Sequence, residues 1–231
     1  MTTDFDQAPK NDGHIWWCRS RPYSRVEIIC DAIVHSVGLA VAIVLGGLLV
    51  ITGWSLVPAY APAISIYVGS LVTLLSISLA FNMAPIAPIK QFLARLDQAA
   101  IFLLIAGTYT PVLSTLSATT LDERMLALVW GASLLGVALK LIVPHKFGRL
   151  ALLLYAGIGW SGIVVFSSLA RALPDTTLWL LLAGGLAYTF GIIFHVAETL
   201  RFHNVVWHCF VVLGASLHLW AIFDCMVLAR S

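Results

Sequence analysis

The chain has 231 residues, of which 60% are hydrophobic and 10% charged, with a formal net charge of +2. A water-soluble domain needs about a quarter of its residues charged to keep its surface wet. Composition therefore excludes a soluble enzyme, a disordered protein and a nucleic-acid binder, places the exterior in lipid, and makes membrane lipids the expected partners.

Residues 1–25 are polar and include Asp4, Asp6 and Asp12. They show no short apolar core followed by a small-residue cleavage site, so the first apolar span is the expected uncleaved insertion signal. His14 to Arg25, with Trp16 and Trp17 among arginines, reads as an interfacial anchor. The expected organisation is a cytoplasmic segment, 1–25, and a membrane domain, 26–231. Cys18, Cys30, Cys209 and Cys225 form no CxxC pair, so neither a disulfide framework nor a zinc finger is expected.

No charged residue stands between His35 and Lys90. About 20 apolar residues cross a ~30 Å hydrocarbon core, so this run holds two spans, with the break at Trp54 to Pro62. The pattern predicts an all-α bundle of seven transmembrane helices at 31–53, 61–82, 97–118, 124–144, 149–170, 176–197 and 205–228. Lys10, Arg19, Arg21, Arg25, Lys90, Arg95, Lys140, Lys146, Arg149 and Arg201 fall on one side, against Arg124, Arg171 and Arg230 on the other. That bias predicts a cytoplasmic N-terminus and an outside C-terminus in the bacterial inner membrane.

Ionisable and amide groups at membrane depth are expensive and mark candidate sites. Glu27, Asp31 and His35 form an i, i+4, i+8 stripe entering the first helix. Ser78 and Asn82 are i, i+4 at the exit of the second, and Asp97 opens the third. Asn204 and His208 are i, i+4 at the entry of the seventh, with His218 deeper. All but His218 fall at the predicted cytoplasmic ends, so four helices bring polar side chains to one level. Plainer readings stand beside this one. Glu27 and Asp97 suit helix N-termini, Ser78 suits a bond to backbone, and a lone His218 suits a helix–helix hydrogen bond. Thr108, Thr110 and Pro111 read as a break in the third helix, with threonine hydroxyls re-satisfying carbonyls.

Three stretches carry a family resemblance: SRVEIICDAIVHSVGL (24–39), RLDQAAIFLLIAGTYTPVL (95–113) and FHNVVWHCFVVLGASLH (202–218). In order and spacing they resemble the hemolysin III proteins, the bacterial branch of the progestin and adiponectin receptor family. The resemblance implies seven helices around a zinc site near the cytoplasmic face. In eukaryotic members three histidines hold the zinc, from Ser-x-x-x-His on the second helix and His-x-x-x-His on the seventh, with an aspartate beside it. Residue by residue, Ser78 matches the serine, Asp97 the aspartate and His208 the last histidine, while Asn82 and Asn204 stand at the other two histidine positions. Asparagine oxygen is a harder, neutral donor than imidazole, so zinc affinity should fall steeply. His203 and His195 (with Glu198) are the candidate substitutes, although His203 is rotated by about 100° from position 204 on a helix.

The leading expectation is a divergent member with a weakened or lost metal site, acting in membrane-lipid sensing or regulation. The alternative is a metal-dependent lipid amide hydrolase, as the family's likeness to alkaline ceramidases implies, with Asp97 and Ser78 at the reaction and the metal on His208, Asn82 and Asn204. Pore-forming cytolysis, the activity behind the family name, is a further alternative, but no secreted-toxin feature accompanies it. A proton-coupled transporter using Asp31, His35 and Asp97 is disfavoured by the absence of an internal repeat.

Overall fold

The computed structural model describes residues 23–84, 88–116, 120–143 and 148–229. Among these the fold is all-α, with no strand. The helices are α1 (Arg25–Leu56), α2 (Ala61–Met83), α3 (Pro88–Ser114), α4 (Thr120–Ile142), α5 (Gly148–Trp160), α6 (Phe166–Ala172), α7 (Asp175–Val196) and α8 (His203–Phe223). A 3-10 segment, Ser161–Val165, joins α5 to α6, and a π turn, Asp224–Leu228, extends α8. Seven of the described runs are long and apolar enough to cross a membrane, the fifth being Leu150–Ala172. Lipid offers no partner to backbone N–H and C=O groups, so apolar runs of this length satisfy themselves as helices. Ile51, Leu128, Leu153 and Trp179 stay mostly exposed on the outside, where lipid covers them. The expected anchor at His14 to Arg25 lies outside the described residues up to position 22.

Helix α1 shows how one stripe serves the bundle. Its buried residues are Glu27, Asp31, His35, Gly38, Ala42, Gly46, Leu49 and Gly53, spaced three or four apart along one face. The lower part of the stripe is small, which lets neighbouring side chains press onto the backbone. A Cβ at Gly46 would stand 2.8 Å from Val68 of α2, and one at Gly38 would stand 2.6 Å from Val212 of α8. Helix α1 thus packs between α2 and α8, α3 is the most buried span, and the fifth span is the least.

The helix ends differ from the sequence expectation for local reasons. Helix α1 begins at Arg25 rather than 31 because Ser24 and Glu27 form a capping box. Ser24 Oγ accepts from the Glu27 N–H at 3.3 Å, and Glu27 Oε2 accepts from the Ser24 N–H at 2.9 Å. Helix α3 begins at Pro88, where a missing N–H costs nothing, so Lys90 and Arg95 lie on the helix rather than in a connection. The expected break at Pro111 does not occur: α3 runs through it to Ser114. Thr108 and Thr110 do bond back as expected, to the carbonyls of Leu104 and Ala106, each at 2.8 Å.

The interruption lies instead in the fifth span. There Tyr109 of α3 donates to the carbonyls of Ile158 (3.1 Å) and Gly159 (2.8 Å) and accepts from the Gly162 N–H (2.7 Å). One phenol therefore satisfies backbone groups that the passage from α-helix to 3-10 geometry sets free.

Candidate functional site

The polar part of the α1 stripe meets α2 and α8 at one end of the bundle. Asp31, His35, Ser78, Asn82 and His208 are all buried, each under a tenth exposed. Asp31 Oδ1 lies 2.6 Å from His208 Nδ1, and Asp31 Oδ2 accepts from Asn204 Nδ2 at 3.1 Å. Asn204 Nδ2 also reaches Asn82 Oδ1 at 3.5 Å and His208 Nδ1 at 3.3 Å. His35 Nδ1 is 2.9 Å from the Asp31 carbonyl, and His35 Nε2 is 3.0 Å from Ser78 Oγ. Asn82 Nδ2 donates to the Ser78 carbonyl at 2.9 Å. Six polar residues from three helices thus form one continuous network, arranged by i, i+4 pairs on each helix.

The tautomer of His35 follows from its partners. A carbonyl oxygen only accepts, so Nδ1 carries the proton and Nε2 holds the lone pair, which accepts from the Ser78 hydroxyl. The rings of His35 and His208 face each other edge to face, with centroids 4.1 Å apart.

A cavity of about 590 Å³ opens against this network. His35, Ser78, Asn82, Asn204 and His208 line one part, together with Asp97, Gln98 and Lys140. Leu74, Leu75, Ile101, Ile105, Val211 and Val212 supply apolar wall. Asp97 therefore shares the space that the sequence pattern assigned to it, from a place one-third of the way along α3.

The remaining expected residues have separate attachments. Glu27, besides closing its capping box, accepts from the Phe202 N–H at 2.8 Å. Phe202 is the one non-glycine residue with positive φ among the described residues (59°), a left-handed conformation costing about 1–2 kcal/mol, and Glu27 holds it there just before α8. His203 is occupied at both ring nitrogens, by Tyr23 Oη (2.7 Å) and the Phe194 carbonyl (3.2 Å). His195 lies against Trp207, with ring centroids 5.0 Å apart. His218 bonds the Leu181 carbonyl of α7 at 3.2 Å, the helix–helix bond that the plainer reading expected.

Two features were not assigned to the site from sequence. Lys140, counted there only as an orientation charge, is buried and donates to Gln98 Oε1 at 2.8 Å, while Tyr155 donates to the Gln98 carbonyl at 2.7 Å. A lysine within an apolar span was the available signal. The second is the ligand-capable group. Asp31, His35 and His208 offer ligand atoms within 4.8 Å of one another. The stripe on the first helix marked two of these as polar, but nothing in spacing alone paired them with His208.

Of the three positions that the resemblance assigns to zinc ligands, 82 and 204 carry asparagine in place of histidine. Asn82 spends its amide on the Ser78 carbonyl and Asn204 spends its amide on Asp31, and neither provides an imidazole. The two asparagines work as hydrogen-bonding neighbours of the Asp31–His208 pair.

Fold and site together define an integral membrane protein of seven helices with a buried Asp/His/Asn network at one end. The haemolysin-III-related family profile matches residues 26–219. The chain is similar to a hemolysin-3 homolog of Bacillus subtilis (30% identity, 87% of this chain and 93% of the relative). It is similar also to hemolysin-3 of Bacillus cereus (33% identity, 83% and 88%). A more distant likeness, 27% identity over 55% of this chain and 52% of the relative, links it to the human monocyte to macrophage differentiation factor. The chain belongs to the hemolysin III family.

Proposed function

We propose that this protein is a lipid-sensing or regulatory membrane protein that admits an acyl lipid into its bundle and reads the lipid's polar end with the buried network. The observation carrying this reading is the cavity. Its volume falls within the ~300–1,000 Å³ of small-ligand sites, and apolar wall runs into a small set of convergent polar groups. A lipid placed with its chain along Ile101, Ile105 and Val211 would bring its polar end to Ser78, Asn82 and Asp97. Proteins in this orientation would read the inner leaflet, because the basic residues favour a cytoplasmic N-terminus in the inner membrane. Burial of Lys140 removes one charge from that count and leaves a large excess on the same side.

Two measurements test this reading. Lipid extracted from the purified protein should match the chain in about equimolar amount, and Ala156→Trp, which places a ring in the cavity, should lower it roughly tenfold. Equal lipid in both proteins would remove the cavity from the proposal. Alkaline phosphatase fused after Ser231 should be active on the non-cytoplasmic side of the membrane, and an inactive fusion would reverse the orientation.

Hydrolysis of a lipid amide is the second reading, favoured by the ligand-capable Asp31, His35 and His208 lying beside a cavity that also holds Asp97. A bound metal would supply Lewis-acid polarisation there. The chain's own part would be to orient the amide and the attacking water with Ser78 and Asp97 and to hold the acyl chain along the apolar wall. Release of fatty acid from a ceramide by the purified protein is the measurement that separates the two readings.

A further inference from the structure

We propose that Lys140 and Asp97 make the bundle selective for a zwitterionic phospholipid head, with the phosphate on the lysine and a primary ammonium on the aspartate. The proposal rests on the lipid-binding reading above and names the head group that this reading leaves open. Three observations support it.

The first is where the lysine goes. Lys140 lies in the last turn of α4, which ends at Ile142. So long a side chain this near a helix end would ordinarily extend to the interface, where its charge stays hydrated. Instead it is 3% exposed, and its ammonium turns into the bundle to donate to Gln98 Oε1 at 2.8 Å. The second is that its place is built. Gln98 belongs to α3, and its carbonyl accepts from Tyr155 Oη of the fifth span at 2.7 Å. Two further spans therefore fix the position of one ammonium, and Gln98, Lys140 and Tyr155 all line the cavity. A simple tie between helices would need no charge here, because the Gln98 amide oxygen is satisfied equally by an uncharged donor.

The third is the charge of the cavity wall. Among the described residues that line it, Lys140 is the one lysine or arginine, and the acids are Asp97, next to Gln98 on α3, and Glu198, beyond the end of α7. Ser78, Asn82 and Asn204 add polar groups that carry no charge. A head bearing only an anion would meet Lys140 but be repelled by Asp97, and a head bearing only a cation would meet the reverse. A phosphate and an ammonium in one head match both, and they bring no net charge into a space that is partly apolar. A primary ammonium also has N–H groups to donate to the Asp97 carboxylate, whereas a trimethylammonium has none.

The full-length protein in detergent is equilibrated with equal amounts of dioleoyl phosphatidylethanolamine, phosphatidylglycerol and phosphatidylcholine, and the lipid that stays bound is quantified by mass spectrometry. Phosphatidylethanolamine should exceed each of the others about tenfold, the size of one charge-assisted contact. Lys140→Met, which keeps most of the side chain's length and removes its charge, should reduce that excess to about twofold or less while total lipid is kept. Asp97→Asn should raise phosphatidylglycerol at least to the level of phosphatidylethanolamine, because it removes the repulsion and leaves the lysine. Should Lys140→Met fail to fold, Asp97→Asn decides alone. Bound lipid with no head preference, a preference for either of the other heads, or a preference that either folded variant retains overturns the proposal and leaves lipid binding standing. A wild type that holds no lipid overturns the lipid-binding reading itself, and this proposal with it.

Discussion

Replacing Asp31 with alanine is expected to cost about 3 kcal/mol, because it removes a buried carboxylate acceptor and leaves the donors that faced it without a partner. The carboxylate receives His208 Nδ1 at 2.6 Å and Asn204 Nδ2 at 3.1 Å, and both Asp31 and His208 are buried. Alanine would leave the imidazole and the amide facing a small void, and an unsatisfied buried polar group costs more than the bond it loses. For a chain of this length the unfolding midpoint should fall on the order of 10 °C. Thermal unfolding in detergent, followed by circular dichroism, measures it. A midpoint within two or so degrees of wild type (about 1 kcal/mol or less) would mean that the network is solvated and contributes like a surface pair.

The second large effect is expected at Gly107, in the crossing of α3 over α2. A Cβ there would overlap Ser70 Oγ and stand 2.9 Å from Ser70 Cβ and 3.6 Å from the Ile66 carbonyl. Ser70 cannot easily turn away, because its hydroxyl is bonded to the Tyr67 carbonyl at 2.7 Å. Gly107→Val must therefore push the two helices apart, at a cost of about 3 kcal/mol. It would also spread Ser78 and Asn82 on α2 from Asp97 on α3. Gly69→Ala is the matched control, since nothing lies within 4 Å of an added Cβ there. It should gain up to about 1 kcal/mol from helix propensity alone. Equal melting of the two variants would show that α2 and α3 are free to separate.

The number of spans and most of the network were legible because both follow from rules with fixed periods. Hydrophobic length sets the crossings, and i, i+4 spacing puts Asp31 with His35, Ser78 with Asn82, and Asn204 with His208 on common faces. Which faces meet is a tertiary fact, and that is where the sequence reading stopped. It could align Asn82, Asn204 and His208 with a family motif, yet the short bonds of His208 and Asn204 run to Asp31 on another helix. Lys140 was misleading for a related reason. A lysine near a predicted helix end reads as a solvated charge, whereas here its chain folds inward to Gln98. The interruption of the fifth span was equally hidden, because the hydroxyl that stabilises it belongs to Tyr109, some fifty residues earlier.

Helix α1 carries its chemistry and its packing on a single stripe. Such a helix has only one permitted azimuth. A turn of one residue position, about 100°, would swing Asp31 and His35 toward lipid and would also lift Gly38 and Gly46 off the valines that press on them. The glycines therefore act as a key in a slot, indexing carboxylate and imidazole from several turns away. A methyl group added deep in the membrane, at Gly46, should be felt at the polar end as a rotational error.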